Sequence, residues 1–283
     1  MAEIDLDGIT ISYDVVGEGP PVLLLHGFPE TRAMWAPVVP LLSGQFTVVT
    51  ADLRGYGASS KPAATRDHSN YSFRAMGEDM ARLMTALGHA RFHLVGHDRG
   101  ARVAYRMALD HRERVDSLSV LDIVPTDHLV DTWDYPISKT YFHWSFLVQP
   151  APFPERMIEA DPDHFFEACL MGWGGAKIDD FPAIEAYRAA WRDPAAIAAM
   201  TNDYRAGATI DLAHDRADEG RQLDCPALVL YGSDGVMART SDVGAVWKER
   251  LGDMTCKAIA GGHSFIDQNP IETADALKAH LAG

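Results

Sequence analysis

Hydrophobic and polar residues fall into two alternating rhythms along this chain. The apolar runs Val22–Leu25, Phe46–Ala51 (rich in β-branched residues), Phe92–Val95 and Val115–Ile123 are short, and they read as strands. Between them, Arg74–Leu87 and Ala101–Leu109 carry apolar residues at helical spacing. Continuous apolar strands alternating with helices predict an α/β chain with a doubly wound, mostly parallel sheet covered on both faces. From about Pro125 the texture changes: residues 126–218 are rich in Trp, Tyr, Phe, Pro and His, with helical patches and no clear strand. The βα rhythm then returns with Pro226–Tyr231, Asp242–Leu251, Thr255–Ala260 and Glu272–Leu281. The expected organisation is a core in two parts, residues 1–125 and 219–283, interrupted by a helical cap over 126–218.

The third strand leads into Gly96-His97-Asp98-Arg99-Gly100. This frame resembles the G-x-S-x-G nucleophile elbow of α/β-hydrolases, a sharp strand-to-helix turn that lifts its central residue above the sheet. The central residue here is an aspartate. A carboxylate that attacks an acyl group gives an anhydride, a poor intermediate, whereas one that displaces a leaving group from saturated carbon gives an alkyl ester that water can open. Asp98 is therefore the candidate nucleophile; its bland alternative is a helix N-cap, a position aspartate favours.

His263, in Ala260-Gly261-Gly262-His263-Ser264, follows the last strand, where this fold carries its base. An imidazole suits the task of deprotonating the water that opens an ester. Two acids are placed to orient it: Asp122, at the end of Leu118-Ser119-Val120-Leu121, and Asp234, just after Tyr231-Gly232. His26-Gly27-Phe28-Pro29 follows the first strand, so the backbone N–H groups of Phe28 and Arg99 are candidates for an oxyanion hole. Arg99 and Arg102, at i and i+3, share one face of the elbow helix. Cations in a helix's first turn oppose the macrodipole, and a bound anion compensates them; a guanidinium fork can hold a carboxylate bidentately.

Composition narrows the partners. The 283 residues are 47% hydrophobic and 23% charged, ordinary for a globular enzyme. A formal charge of −15 argues against nucleic acid and anionic membranes. It also requires any pocket for an anion to concentrate positive charge locally. The three cysteines (Cys169, Cys225, Cys256) have no close spacing, which suggests reduced thiols in a cytoplasmic protein and no metal site. The first residues, Met1-Ala2-Glu3-Ile4-Asp5, lack the pattern of a signal peptide. No apolar run approaches the ~20 residues of a membrane helix.

With these residues assembled, the chain closely resembles the fluoroacetate (haloacetate) dehalogenases of the α/β-hydrolase superfamily. The likeness runs through His26-Gly27-Phe28-Pro29, Ala51-Asp52-Leu53-Arg54-Gly55-Tyr56-Gly57, Tyr71-Ser72-Phe73-Arg74-Ala75-Met76, the elbow, Val120-Leu121-Asp122-Ile123, His143-Trp144, Gln149-Pro150-Ala151-Pro152 and Asp203-Tyr204-Arg205-Ala206-Gly207. The resemblance implies Asp98 as nucleophile, His263 as base and Asp122 as orienting acid. It also implies that Arg99 and Arg102 grip a substrate carboxylate and that His143, Trp144 and Tyr204 hold the halide. It implies a small halocarboxylate substrate, no cofactor and a homodimer. The N–H and O–H groups of His143, Trp144 and Tyr204 suit the halide role, because an uncompensated fluoride ion in a dry pocket is very costly. Two features depart from the pattern: Ser264 stands where relatives tend to carry a bulkier aromatic residue, and Asp234 adds an acid where they usually have none.

An epoxide hydrolase is the nearest rival, with Tyr141, Tyr187 and Tyr204 available as a phenol pair. The two arginines suit a neutral epoxide poorly. A haloalkane dehalogenase usually has Trp after the nucleophile, where this chain has Arg99. A non-catalytic receptor on the same scaffold has no need of the Asp98 and His263 pair.

Overall fold

The computed structural model describes residues 1–283. Its strands are β1 (Ala2–Asp5), β2 (Thr10–Val16), β3 (Pro21–Leu25), β4 (Thr47–Ala51), β5 (Phe92–His97), β6 (Val115–Leu121), β7 (Ala227–Gly232) and β8 (Met254–Ile259). They form one sheet in the order β1-β2-β4-β3-β5-β6-β7-β8. The pairs from β4 to β8 are parallel, while β1–β2 and β2–β4 are antiparallel. Two of these strands, β1 and β2, escape the sequence pattern. They form an antiparallel edge whose residues are largely exposed or half-buried, so no apolar run marks them.

The strand order reverses at β3, which lies between β4 and β5. Crevices at the carboxyl ends of such a switch point are where open α/β sheets bind ligands. Register makes this concrete. Leu25 at the end of β3 pairs with Gly96 of β5, which sets the loop beginning at His26 beside the elbow.

The helix Phe73–Ala86 is capped by Ser72, whose Oγ accepts from the Ala75 N–H at 3.2 Å. The elbow helix runs Asp98–Asp110, starting three residues before the expected Ala101 because strand passes to helix without a loop. Between β6 and β7, short helices follow one another from Thr126–Asp131 to Leu212–Ala217. This segment is proline-rich yet helical because its prolines sit at helix starts. Asp161 and Asp193 cap helices whose first residues are Pro162 and Pro194, positions where the missing N–H costs nothing. Apolar residues of the sheet and of the inserted helices join one continuous core.

Candidate active site

Asp98 has φ +46°, a left-handed conformation that is uncommon and strained for a residue with a side chain. The flanking glycines make this turn possible. A Cβ on Gly96 would meet the Gly100 carbonyl, and one on Gly100 would meet the backbone of Leu25 and His26. The Asp98 carboxylate, 7% exposed, accepts a hydrogen bond from the Phe28 N–H at 3.0 Å through Oδ2. Oδ1 makes no hydrogen bond, so one oxygen is held and the other is free. Burial alone would raise the Asp98 carboxyl, but His263, His97, Arg102 and Arg99 outweigh it and bring it down to about 2. It is a carboxylate at any working pH.

His263 Nδ1 lies 2.6 Å from Asp122 Oδ2, and Asp122 Oδ1 accepts from the Gly232 N–H at 2.8 Å. A carboxylate only accepts, so this contact assigns the ring proton to Nδ1 and leaves the Nε2 lone pair free. Asp234 is exposed, and its backbone N–H donates to the Gly261 carbonyl at 2.8 Å. Of the two candidate acids, Asp122 is the one at the imidazole. The His263 backbone is fixed at both ends: its N–H donates to the Trp173 carbonyl at 3.1 Å, and its carbonyl accepts from His97 Nε2 at 3.0 Å. The helical insertion and this loop touch so closely that a Cβ on Gly262 would stand 2.5 Å from the Gly174 carbonyl oxygen.

The two arginines differ in their surroundings. Arg99 is fully buried, donates to Asp203 through Nε at 2.9 Å, and reaches the other carboxylate oxygen and the Asp203 carbonyl through Nη2. Its guanidinium is sandwiched 4.5 Å from the Phe73 ring and 4.4 Å from the Tyr204 ring. Only Nη1 lacks a partner. Burial disfavours its charge, but Asp203 overcomes that and raises its pKa. Arg99 is thus a cation pinned by Asp203, with one spare N–H edge. Arg102 donates through Nη1 to the Val124 carbonyl at 3.0 Å and to Thr126 Oγ1 at 2.9 Å, and it enters no ion pair.

Asp98, Arg102, Asp122, His263, His143 and Trp144 all line one tight cavity, closed further by Ile123, Tyr141, Trp173 and Met237. A cavity this tight suits a molecule of very few heavy atoms. The three expected halide donors divide. The His143 ring, whose Nδ1 has no partner, stacks on Phe28 at 5.7 Å. Burial is the main reason that His143 is pushed down to about 3, so the imidazole is neutral. Tyr204 does not itself line the cavity, but its ring packs 5.5 Å from both His143 and Trp144, and its buried hydroxyl has no partner. Of the other tyrosines, Tyr141 lines the cavity and Tyr187 does not.

Three residues of this neighbourhood escape sequence reasoning. Asp203 is fully buried and takes both Arg99 and the Tyr56 hydroxyl, the latter at 2.6 Å. His97 and Glu30 meet at 3.3 Å beneath the elbow. Their positions, next to Asp98 and directly after His26-Gly27-Phe28-Pro29, are the only signals the sequence offers.

A family model described as the alpha/beta hydrolase fold matches residues 20–270. A fluoroacetate dehalogenase from Burkholderia sp is 53% identical over 281 residues, covering 99% of this chain and 92% of the relative. The soluble epoxide hydrolase of Corynebacterium sp. strain C12 is 38% identical over 120 residues, 42% of this chain and 40% of the relative. Among solved structures, ALR0039 from Nostoc sp PCC 7120 superposes with a TM-score of 0.97 at 44% identity, covering 99% of this chain and 97% of that one. CorEH, an epoxide hydrolase, superposes at 0.89 with 26% identity, covering 99% and 98%.

Proposed function

The chain belongs to the α/β-hydrolase family, and from that premise we propose that it hydrolyses the carbon–halogen bond of haloacetates. The free oxygen of Asp98 attacks the α-carbon of fluoroacetate, forming a C–O bond as the C–F electron pair leaves with fluoride. The product of this step is an ester on Asp98. His263 Nε2 then takes a proton from water, whose oxygen adds to the Asp98 carbonyl carbon, and the resulting oxyanion is met by the Phe28 N–H, with the Arg99 N–H as the second donor. Collapse expels glycolate, whose leaving oxygen takes the proton from His263, and Asp98, left as a carboxylic acid, gives up a proton to return to the carboxylate. The sum is fluoroacetate and water to glycolate, fluoride and a proton, with no cofactor. Asp122 keeps the imidazole oriented and stabilises its protonated form. Arg102 takes the substrate carboxylate, with Arg99 Nη1 beside it, and His143, Trp144 and Tyr204 receive the halide.

The observation that carries this reading is Arg102, a 5% exposed guanidinium without an ion pair that lines the same small cavity as Asp98. An uncompensated buried charge is costly, and a substrate carboxylate supplies the missing partner. Its 53% identity to a fluoroacetate dehalogenase supports the same substrate class. Tyr141 in the cavity wall is the feature that an epoxide hydrolase would use. The experiment is a fluoride-electrode assay on fluoroacetate run beside chloroacetate and styrene oxide. Fluoride release with no diol from styrene oxide is expected; diol formation without halide release would replace the reading by the epoxide one.

A homodimer and a cytoplasmic location complete the proposal. Phe153 (55% exposed) and Met157 (56%) lie one turn apart on the inserted helix Phe153–Ala160, where Phe146 packs 6.0 Å from Phe153. An exposed apolar patch of this kind is a candidate interaction surface, so sedimentation should give twice the chain mass, and Phe153→Asp should lower it. Three free thiols fit a reducing compartment. No helix is long and apolar enough to cross a membrane.

A further inference from the structure

Arg102 has a second side. Beyond the guanidinium lies a separate, very small buried pocket, lined by Phe73, Tyr105, Ile123, Pro125, Thr126, Asp215, Trp247 and Arg102 itself. Arg102 and Ile123 are the residues common to the two cavities. Polar atoms in this region are short of partners: neither Arg102 Nε nor the Tyr105 hydroxyl has one. Asp215, 6% exposed on the helix Leu212–Ala217, adds a carboxyl group that makes no ion pair. The one buried cation of the substrate cavity therefore stands between two carboxylates, Asp98 in front and Asp215 behind, and is bonded to neither.

We propose that Asp215 is a positioning residue for the substrate carboxylate: it competes from behind for Arg102, and its protonation yields that charge to the incoming anion. The proposal rests on the reading that Arg102 receives the substrate carboxylate. It follows from reciprocity. An anion that binds Arg102 more tightly when Asp215 is neutral must also make Asp215 easier to protonate, by the same factor. The charged and titratable groups around Asp215 are Arg102 and Tyr105 on the elbow helix, Asp127 next to Thr126, and Asp211 one turn earlier. Asp127 is paired with Arg250 at 2.5 Å, and His214 stands 3.8 Å from Asp211. Burial is the main cause that pushes the Asp215 carboxyl up to about 6; Asp127 and Asp211 add to it and Arg102 opposes it. Its charge therefore changes close to neutrality.

The test is acetate binding, measured by calorimetry on the full chain from pH 5.5 to 8. Acetate carries the carboxylate without a leaving group, so chemistry does not intervene. In the wild type, affinity should fall by at least about fivefold across this range, the lower end of typical couplings. Asp215→Asn should flatten the profile and hold the tighter affinity at pH 8, and Asp215→Glu should keep a slope with a displaced midpoint. Profiles for Asp215→Asn that run parallel to the wild type would overturn the proposal. If Asp215→Asn does not fold, an unmoved midpoint in Asp215→Glu overturns it equally. Arg102→Leu separates this from the reading beneath it: acetate bound as in the wild type would remove Arg102 from the carboxylate site altogether, whereas lost acetate binding beside an unchanged Asp215→Asn profile would sink the Asp215 role alone.

Discussion

Arg99 and Asp203 form a fully buried ion pair between the elbow helix and the inserted helix Pro194–Ala206. The pair carries no net charge into the core, and the Tyr56 hydroxyl donates a further hydrogen bond to Asp203 at 2.6 Å. Gly207 belongs to the same arrangement, since a Cβ there would stand 3.1 Å from Arg99 Nη2. One arginine of the elbow thus ties the elbow helix to the inserted helix, while the other, Arg102, enters no ion pair.

That division predicts opposite phenotypes. Arg102→Leu should raise KM for haloacetates about tenfold or more, the worth of one charge-assisted hydrogen bond, with little change in melting temperature. Asp203→Ala should destabilise by about 3–5 kcal/mol, because it strands a buried cation. Michaelis kinetics and thermal melts on both variants check this; equal effects of the two on KM with no loss of stability would make the arginines equivalent after all.

His263→Asn should halt the reaction after the first step. The Asp98 ester needs a base at Nε2 to be opened, but its formation does not. Intact-protein mass spectrometry after exposure to chloroacetate should show one added carboxymethyl group, and Asp98→Asn in the same background should remove it.

Trp144→Phe keeps the ring in the cavity wall and deletes its N–H. If that N–H meets departing halide, loss by analogy with an oxyanion-hole donor is ~2.7–4 kcal/mol of barrier, and more for fluoride than for chloride. Parallel kcat measurements on fluoroacetate and chloroacetate test it. An equal loss on both substrates would mark Trp144 as packing.

Much of this site is legible in the chain because local geometry dictates local sequence. Gly96 and Gly100 are required by the close approach of backbone around Asp98, and apolar strands announce β3, β5 and β6. What the chain conceals depends on distance across the fold. Asp203 is separated from Arg99 by 104 positions, so nothing local reveals that the guanidinium is already occupied. Asp122 and Asp234 both end at the right edge of the sheet, and only the 2.6 Å contact separates them. The antiparallel edge β1–β2 is hidden for a different reason, since half-exposed strands leave no apolar signature.

Asp267 gives a pH dependence with a definite sign. Neither of its carboxyl oxygens has a partner, and burial, with Glu30 second, pushes its pKa well above the ordinary 3.8. The folded chain then holds a proton that the unfolded chain releases above 3.8, so stability falls as pH rises through this window, by up to about 1.4 kcal/mol per pH unit. Asp267→Asn, an isostere of the neutral acid, should fold normally and lose less melting temperature than the wild type between pH 5 and 8. A steeper decline in the variant would show that Asp267 is ionised in the native state.

The central claim is that Asp98 itself, and not water, strikes carbon. A single turnover of fluoroacetate by excess enzyme in ¹⁸O-labelled water, followed by mass spectrometry of the glycolate and of the peptide containing Asp98, addresses this directly. The account predicts unlabelled glycolate and one ¹⁸O atom in the Asp98 carboxylate. Label in the glycolate with none in Asp98 would contradict it.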